Sequence, residues 1–212
     1  MIETEGEFIA RRLGRVGASR ISDIMAKGKG GEPSASRRNY MAELLCERLT
    51  GKYADGFTSA AIQWGKDHED EARDAYELET GNVVTQCKGF PHPTIPMSGA
   101  SPDGLIMDGE DIIGLLEIKC PNTWTHLQFI DSGKPDKAYQ YQMTWQLACV
   151  RRDHAGPNWV DFVSFDPRLP DKLSFKRVRF IPTLEAIRDI EDEVKVFIAE
   201  LDALETRMRG MM

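Results

Sequence analysis

The sequence predicts an α/β fold in which a central mixed β-sheet is flanked by helices, and three features carry that expectation. Asp108-Gly109 is a strong turn signal with apolar residues on both sides, which is the pattern of a β-hairpin. Residues 159–165 and 173–180 read as further paired strands around Asp166-Pro-Arg-Leu-Pro170. Helical spacing of apolar residues recurs over 36–50, 59–79, 139–150 and from Thr183 onward. A length of 212 residues suits a single domain over 1–212, with 183–209 as a C-terminal amphipathic helix.

Composition narrows the class. Hydrophobic residues make up 41% and charged residues 29%, the balance of a soluble globular protein. No apolar run approaches the ~20 residues of a membrane span, and the acidic start (Glu3, Glu5, Glu7) is unlike a secretory signal. The expectation is a cytoplasmic protein with no membrane partner. Cys46, Cys87, Cys120 and Cys149 form no CxxC pair and read as reduced, mostly buried thiols. The net charge of -7 opposes phosphate binding by the chain as a whole. Its distribution is uneven: Arg11, Arg12, Arg15, Arg20, Lys27, Lys29, Arg37 and Arg38 face only Asp23 and Glu32 between Ala10 and Tyr40. A basic surface on an acidic body is consistent with a positive groove.

The hairpin is where the chemistry concentrates. A loop centred near Glu110 sets Asp103 opposite Glu117, and alternation puts Glu117 and Lys119 on one strand face beside it. Carboxylates that close repel each other unless a proton or cation lies between them. Mg²⁺ suits the position, because it takes oxygen ligands and keeps several waters. Asp103, Glu117 and the Ile118 carbonyl would form half its shell. The plainer alternative is an edge hairpin with a solvated Glu–Lys pair.

Taken in order, residues 8–18 form a basic entry segment. Residues 19–27 read as a short helix capped by Ser19 and stopped by Gly28, whose free N–H groups, with Arg12 nearby, suit an anion. Lys27-Gly-Lys-Gly-Gly31 is a flexible basic loop without Walker A spacing. In the next helix Ser36 is the cap, Tyr40, Leu44, Leu45 and Leu49 point inward, and Gly51 is the stop. The helix from Ser59 closes at Gly81, with Ile62, Ala72, Ala75 and Tyr76 as its apolar contacts. His68-Glu69 is not a zinc motif, since Ala72 stands where HExxH needs histidine. Glu69 by itself reads as an i+4 partner of Arg73. Residues 82–97 suggest a strand and a proline-rich turn, and an irregular stretch follows Pro121. Within 139–150, Met143, Leu147 and Val150 face a core. The last helix carries Ile187, Ile190, Val194, Phe197, Leu201, Leu204 and Met208 as a heptad stripe, which suits the chain's own core better than a partner coil.

Pro102-Asp103 followed by Glu117-Ile118-Lys119 resembles the PD-(D/E)xK nuclease signature. More narrowly, the chain resembles the lambda exonuclease family of phage recombination nucleases, the YqaJ-type viral recombinases. The ordered set Arg12-Leu-Gly-Arg-Val-Gly-Ala-Ser19, Trp64-Gly-Lys-Asp-His-Glu69 with Ala72-Arg73, Thr80-Gly81, Ser101-Pro-Asp-Gly-Leu105, Leu116-Glu-Ile-Lys-Cys-Pro121 and Phe165-Asp-Pro-Arg168 carries the likeness over about residues 8–170. The resemblance implies a restriction-endonuclease-like core and a 5′→3′ exonuclease on linear double-stranded DNA, dependent on Mg²⁺ with Mn²⁺ as a substitute. It implies metal ligands Asp103, Glu117 and Ile118, a water-positioning Lys119, a supporting acid at Glu69 and a strand contact at Gln142, with Gln146 either a second contact or surface. Arg12, Ser19 and Ser101 would hold a 5′-phosphate. Lys29, with Lys27, would reach the duplex, and Ile62 would be a wedge between nucleotides or simply core. Expected partners are DNA ends, two further copies in a homotrimeric ring, and a phage single-strand annealing protein in the bacterial host cell. The rival readings are a PD-(D/E)xK endonuclease and a DNA-end-binding module without turnover.

Overall fold

The structure is a computed structural model and describes residues 5–53, 59–151 and 156–212; Glu3 of the acidic start lies outside them. In chain order the elements are α1 (Glu5–Arg12), β1 (Val16–Gly17), α2 (Ile21–Met25), α3 (Ala35–Thr50), α4 (Ala60–Thr80), β2 (Val83–Thr85), β3 (Phe90–Pro91), β4 (Ser98–Ala100), β5 (Gly104–Asp108), β6 (Asp111–Lys119), α5 (Thr123–Ser132), α6 (Lys137–Val150), β7 (Val160–Phe165), α7 (Asp171–Ser174), β8 (Phe175–Phe180) and α8 (Leu184–Arg209). The main sheet has the order β2-β5-β6-β7-β8, and a smaller one the order β1-β4-β3. In the main sheet only β6 and β7 run parallel. A parallel neighbour requires a crossover, which α5 and α6 supply.

Sheet alternation separates two cores. Leu116, Ile118, Val163 and Phe165 face α4 and bury Ala72 and Tyr76, whereas Leu115, Val160 and Phe162 face Phe129 of α5 and Met143 and Leu147 of α6. The far side of α6 carries Trp145, Ala148 and Cys149 into a third cluster with α2, α3 and α8. Residues Met143–Val150 are therefore buried all round, so this helix shows no single apolar stripe. In α8, Ile187, Ile190, Val194, Phe197 and Leu201 occupy that third cluster, so most of the stripe is spent on the chain's own core.

The hairpin register depends on a bulge. Asp108 pairs with Asp111 across a two-residue turn, with Gly109 at φ +60°. Met107 pairs with Ile112 but Ile106 with Gly114, leaving Ile113 as the extra residue. Gly104 then pairs with Leu116, and the next step brings Asp103 level with Glu117 as the sequence leads one to expect. Without the bulge the pairing of Gly104–Ile106 would shift by one and Asp103 would meet the opposite face. Glycine is required just past it: a Cβ on Gly114 would lie 2.2 Å from the Trp159 ring, which also carries the Arg179 guanidinium 3.5 Å from its centroid.

Two buried acids brace β7. Asp161 accepts from Tyr76 at 2.9 Å, Arg177 at 3.1 Å and Arg179 at 2.9 Å. Asp166 accepts the Arg168 fork at 2.7 and 2.9 Å and the Thr123 hydroxyl at 2.6 Å, joining the strand end to the first turn of α5.

Several local expectations need correction. Ser19 caps nothing: it lies in a 3₁₀ turn, Ala18–Arg20, and the helix after it is only five residues long. Ser34, not Ser36, caps α3, accepting from Arg37 N–H at 3.1 Å. The loop after Lys27 is not simply flexible, because Lys27 bridges to Pro33 and Gly28 N–H bonds to Glu32 carbonyl at 2.9 Å. The irregular stretch after Pro121 is α5, capped by Asn122 and closed by Gly133, and the entry segment contains α1. Cys120 and Cys149 are buried, but Cys46 is exposed.

Two consequences can be measured. Gly114→Ala forces a methyl into the Trp159 ring and should cost about 1–3 kcal/mol by urea denaturation; no loss would mean the ring moves freely. For Asp166, burial alone would raise the carboxyl, but Arg168 and Thr123 bring it down to about 2. A depressed acid stabilises the fold above its unfolded pKa of about 3.9 and loses that contribution as pH falls towards 2. Asp166→Asn should therefore be less stable than wild type at pH 7, with the difference shrinking between pH ~4 and ~2.

Candidate active site

Glu117 is completely buried, and each of its oxygens is engaged. Oε1 accepts from Lys119 Nζ and from Gln142 Nε2 at 2.6 Å, while Oε2 accepts from Gln146 Nε2 at 2.5 Å. The surface reading of Gln146 is thus excluded; it is buried, and its own Oε1 has no partner among the described residues. Helical spacing explains the pair, since residues four apart share a face and α6 lays both amides on one carboxylate.

Asp103 accepts from the Ile118 backbone N–H at 2.7 Å. Because N–H and C=O of one residue leave a strand on the same edge, the Ile118 carbonyl projects towards the Asp103 side. Burial, then the Glu117 charge, pushes the Asp103 carboxyl well above the ordinary range, with Lys119 and the Ile118 N–H acting the other way. Burial works against the Lys119 charge, but Glu117 and Asp103 outweigh it and hold the ammonium protonated. Glu69 makes the predicted bond to Arg73, at 2.7 Å. Burial raises its carboxyl, with Asp70 and Glu117 adding to the effect and Arg73 and Lys119 opposing it. Burial lifts the Cys120 thiol to about 12, which removes it as a nucleophile near neutrality.

Among the described residues no group of three or more His, Cys, Asp or Glu side chains could hold a metal ion. Two carboxylates and a main-chain carbonyl are nevertheless an all-oxygen set suited to a hard divalent cation that keeps its waters. The repulsion felt by Asp103 is what such a charge would relieve.

Beside this centre lies a cavity of about 490 Å³ whose lining includes Arg11, Arg12, Arg15, Ser19, Arg20, Ser101 and Gln142. Arg12, Ser19 and Ser101 thus share one cavity although far apart in sequence. Arg11, which the sequence places in the basic segment but not in the phosphate pocket, bonds to Ser101 Oγ at 2.9 Å. Its position beside Arg12 on the basic segment was the available signal. Lys27 and Lys29 are exposed and lie outside this lining. Ile62 is 49% exposed in the first turn of α4, which rules out its core reading.

A bulged hairpin carrying Asp103 opposite Glu117-Ile-Lys119 in a mixed, helix-flanked sheet defines a nuclease of the PD-(D/E)xK class. Residues 7–153 match the YqaJ-like viral recombinase domain, and the chain belongs to that family, the lambda exonuclease family. An alkaline exonuclease from Laribacter hongkongensis, LHK-Exo, is 46% identical, with 97% of each chain covered and a TM-score of 0.87. Its complex with dAMP is 47% identical over 98% of this chain and 97% of that one, also at 0.87. A phage-related exonuclease from Haemophilus somnus 129PT shares the fold at 18% identity and a TM-score of 0.69, over 92% and 96% of the two chains. No curated protein matches. Among the described residues no helix is long and apolar enough to cross a membrane.

The raised Asp103 carboxyl has a sign that can be tested. An acid whose folded pKa is raised opposes folding above its unfolded pKa. Asp103→Asn keeps the acceptor for Ile118 N–H and removes the charge. In chelator at pH 7 it should melt higher than wild type, by about 2–4 °C for each kcal/mol relieved; an equal or lower Tm would mean the repulsion is not felt.

Proposed function

We propose that the protein is a Mg²⁺-dependent 5′→3′ exonuclease on linear double-stranded DNA, releasing 5′-mononucleotides and leaving a 3′ single strand for annealing. One observation carries the reading: Gln142 bonds to Glu117 and also lines the cavity that contains Arg12, Ser19 and Ser101. The carboxylate centre and a cationic pocket are therefore adjacent. A pocket that binds a terminal phosphate beside the hydrolytic centre selects ends, whereas an endonuclease has no use for one. The likeness to LHK-Exo, described as an alkaline exonuclease and seen with dAMP, supports the same reading.

In this mechanism Asp103, Glu117 and the Ile118 carbonyl would hold Mg²⁺, or Mn²⁺ in its place, and the cation when bound would supply Lewis-acid charge at the scissile phosphate. Lys119 positions the attacking water and stabilises charge developing on the phosphate. Gln142 contacts the scissile strand, Glu69 supports the site from α4, and Arg12, Ser19 and Ser101 hold the 5′-phosphate and so set polarity. Ile62, exposed at the start of α4, wedges the separating nucleotides, while Lys27 and Lys29 reach the duplex. Enclosure of DNA by a homotrimeric ring and hand-over to a phage annealing protein in the host cytoplasm complete the proposal.

The test uses duplex DNA labelled at one end, with and without a 5′-phosphate, beside a covalently closed circle, in Mg²⁺. Wild type should degrade phosphorylated ends progressively and spare the circle. Lys119→Ala should lose activity by about 10²-fold or more. Nicking of the circle would make the protein an endonuclease, and retention of DNA without cleavage would make it an end-binding module.

A further inference from the structure

Two of the cavity's cations, Arg12 and Arg15, stand on either side of a short turn that joins α1 to β1. Arg12 and Arg15 flank Leu13-Gly14, and Arg15 N–H bonds back to the Arg12 carbonyl at 3.0 Å. Arg11, Arg12 and Arg15 are like charges lining one cavity, and their mutual repulsion favours opening the turn. Two consecutive residues of α3 prevent this. Glu47, 2% exposed, accepts from Gly14 N–H through Oε2 at 2.7 Å. Arg48 donates from Nε to the Gly14 carbonyl at 2.8 Å. Both polar groups of one residue are thus gripped by adjacent side chains of a single rigid helix.

Gly14 is shaped to receive that grip. Its φ of +65° is disfavoured for other residues, and a Cβ there would lie 2.5 Å from Arg48 Cγ. Arg48 is itself braced from behind: its side chain is 6% exposed, and Nη1 meets Asp202 at 2.5 Å and Glu205 at 3.3 Å on α8. Arg209 closes the network, bonding to Glu205 at 2.9 Å and to the Arg48 carbonyl at 2.8 Å.

We propose that Glu47 and Arg48 are positioning residues for the strand-end cavity: by clamping Gly14 they fix where Arg12 and Arg15 stand, and so determine how strongly a 5′-phosphate is preferred over a 5′-hydroxyl. The proposal rests on the reading of this cavity as the 5′-phosphate site. Arg48 grips the turn while its own charge is turned towards α8. Its loss therefore displaces other cations rather than removing a phosphate contact. A merely structural clamp would weaken all DNA binding alike, whereas a positioning clamp changes the ratio between the two kinds of end.

The experiment measures binding of 5′-phosphorylated and 5′-hydroxyl duplexes by fluorescence anisotropy in chelator, so that no turnover enters. Wild type, Arg48→Met, Glu47→Ala and Glu47→Gln are compared, each with its thermal melt, and only variants that melt cooperatively are read. Wild type should prefer the phosphorylated end. Arg48→Met and Glu47→Ala should each reduce that preference roughly tenfold, equivalent to about 1.4 kcal/mol. Glu47→Gln, which keeps an acceptor for Gly14 N–H, should retain most of it. An unchanged ratio in Arg48→Met and Glu47→Ala, or an equal loss for both ends, overturns the clamp. A wild type that does not distinguish the ends removes instead the phosphate-site reading on which the clamp depends.

Discussion

A carboxylate buried with no exposed surface is the constraint around which this fold is arranged. Removing Glu117 from water costs several kcal/mol unless donors replace the solvent. Three side chains do so: Lys119 from its own strand, and Gln142 and Gln146 from one face of α6. For those amides to arrive, α6 must lie flat on the sheet, and it is held there by α2 and α8 packing on its other side, which α3 backs in turn. The third hydrophobic cluster, remote from the chemistry, is thus the support of the hydrogen bonds that make the site possible.

The acidic body and basic cavity are two parts of one electrostatic arrangement. A net charge of -7 disfavours phosphate over the surface as a whole, while Arg11, Arg12, Arg15 and Arg20 gather in the lining of one concavity. Loosely held cations would spread apart, so the basic segment needs anchors. Acids and backbone contacts provide them, from the buried Glu47 under Gly14 to the partly exposed Glu43, which takes Arg20 at 2.9 Å.

How much of this could be read in the chain varies with the physics involved. Asp103 facing Glu117 was legible because turn signal, alternation and charge all pointed to one register. It was legible for an incomplete reason, since the turn lies half a residue earlier and the bulge at Ile113 restores the pairing. Gly114, a glycine inside an apolar strand, was the available hint. α5 was missed although Asn122 and Gly133 bracket it, because its apolar stripe is weak: His126 is fully buried, bonded to Ser164 and Leu173, and Trp124 is 69% exposed. The small sheet was out of reach, since strands of two or three residues leave no periodicity. The cavity residues came from resemblance; their convergence depends on chain reversals that no local pattern encodes.

The outer edge of the main sheet has a further implication. Among the described residues β8 has no strand on its outer side, and such an edge is a template on which other chains can add. Here alternate residues are Arg177 and Arg179, tied inward to Asp161, with Val178 between them and Lys176 just before. An arriving strand would have to lay its side chains against fixed guanidinium groups. The ion pairs that brace β7 from inside therefore also insulate this edge, so that the sheet resists growing from one molecule into the next at the concentrations where unprotected edges aggregate.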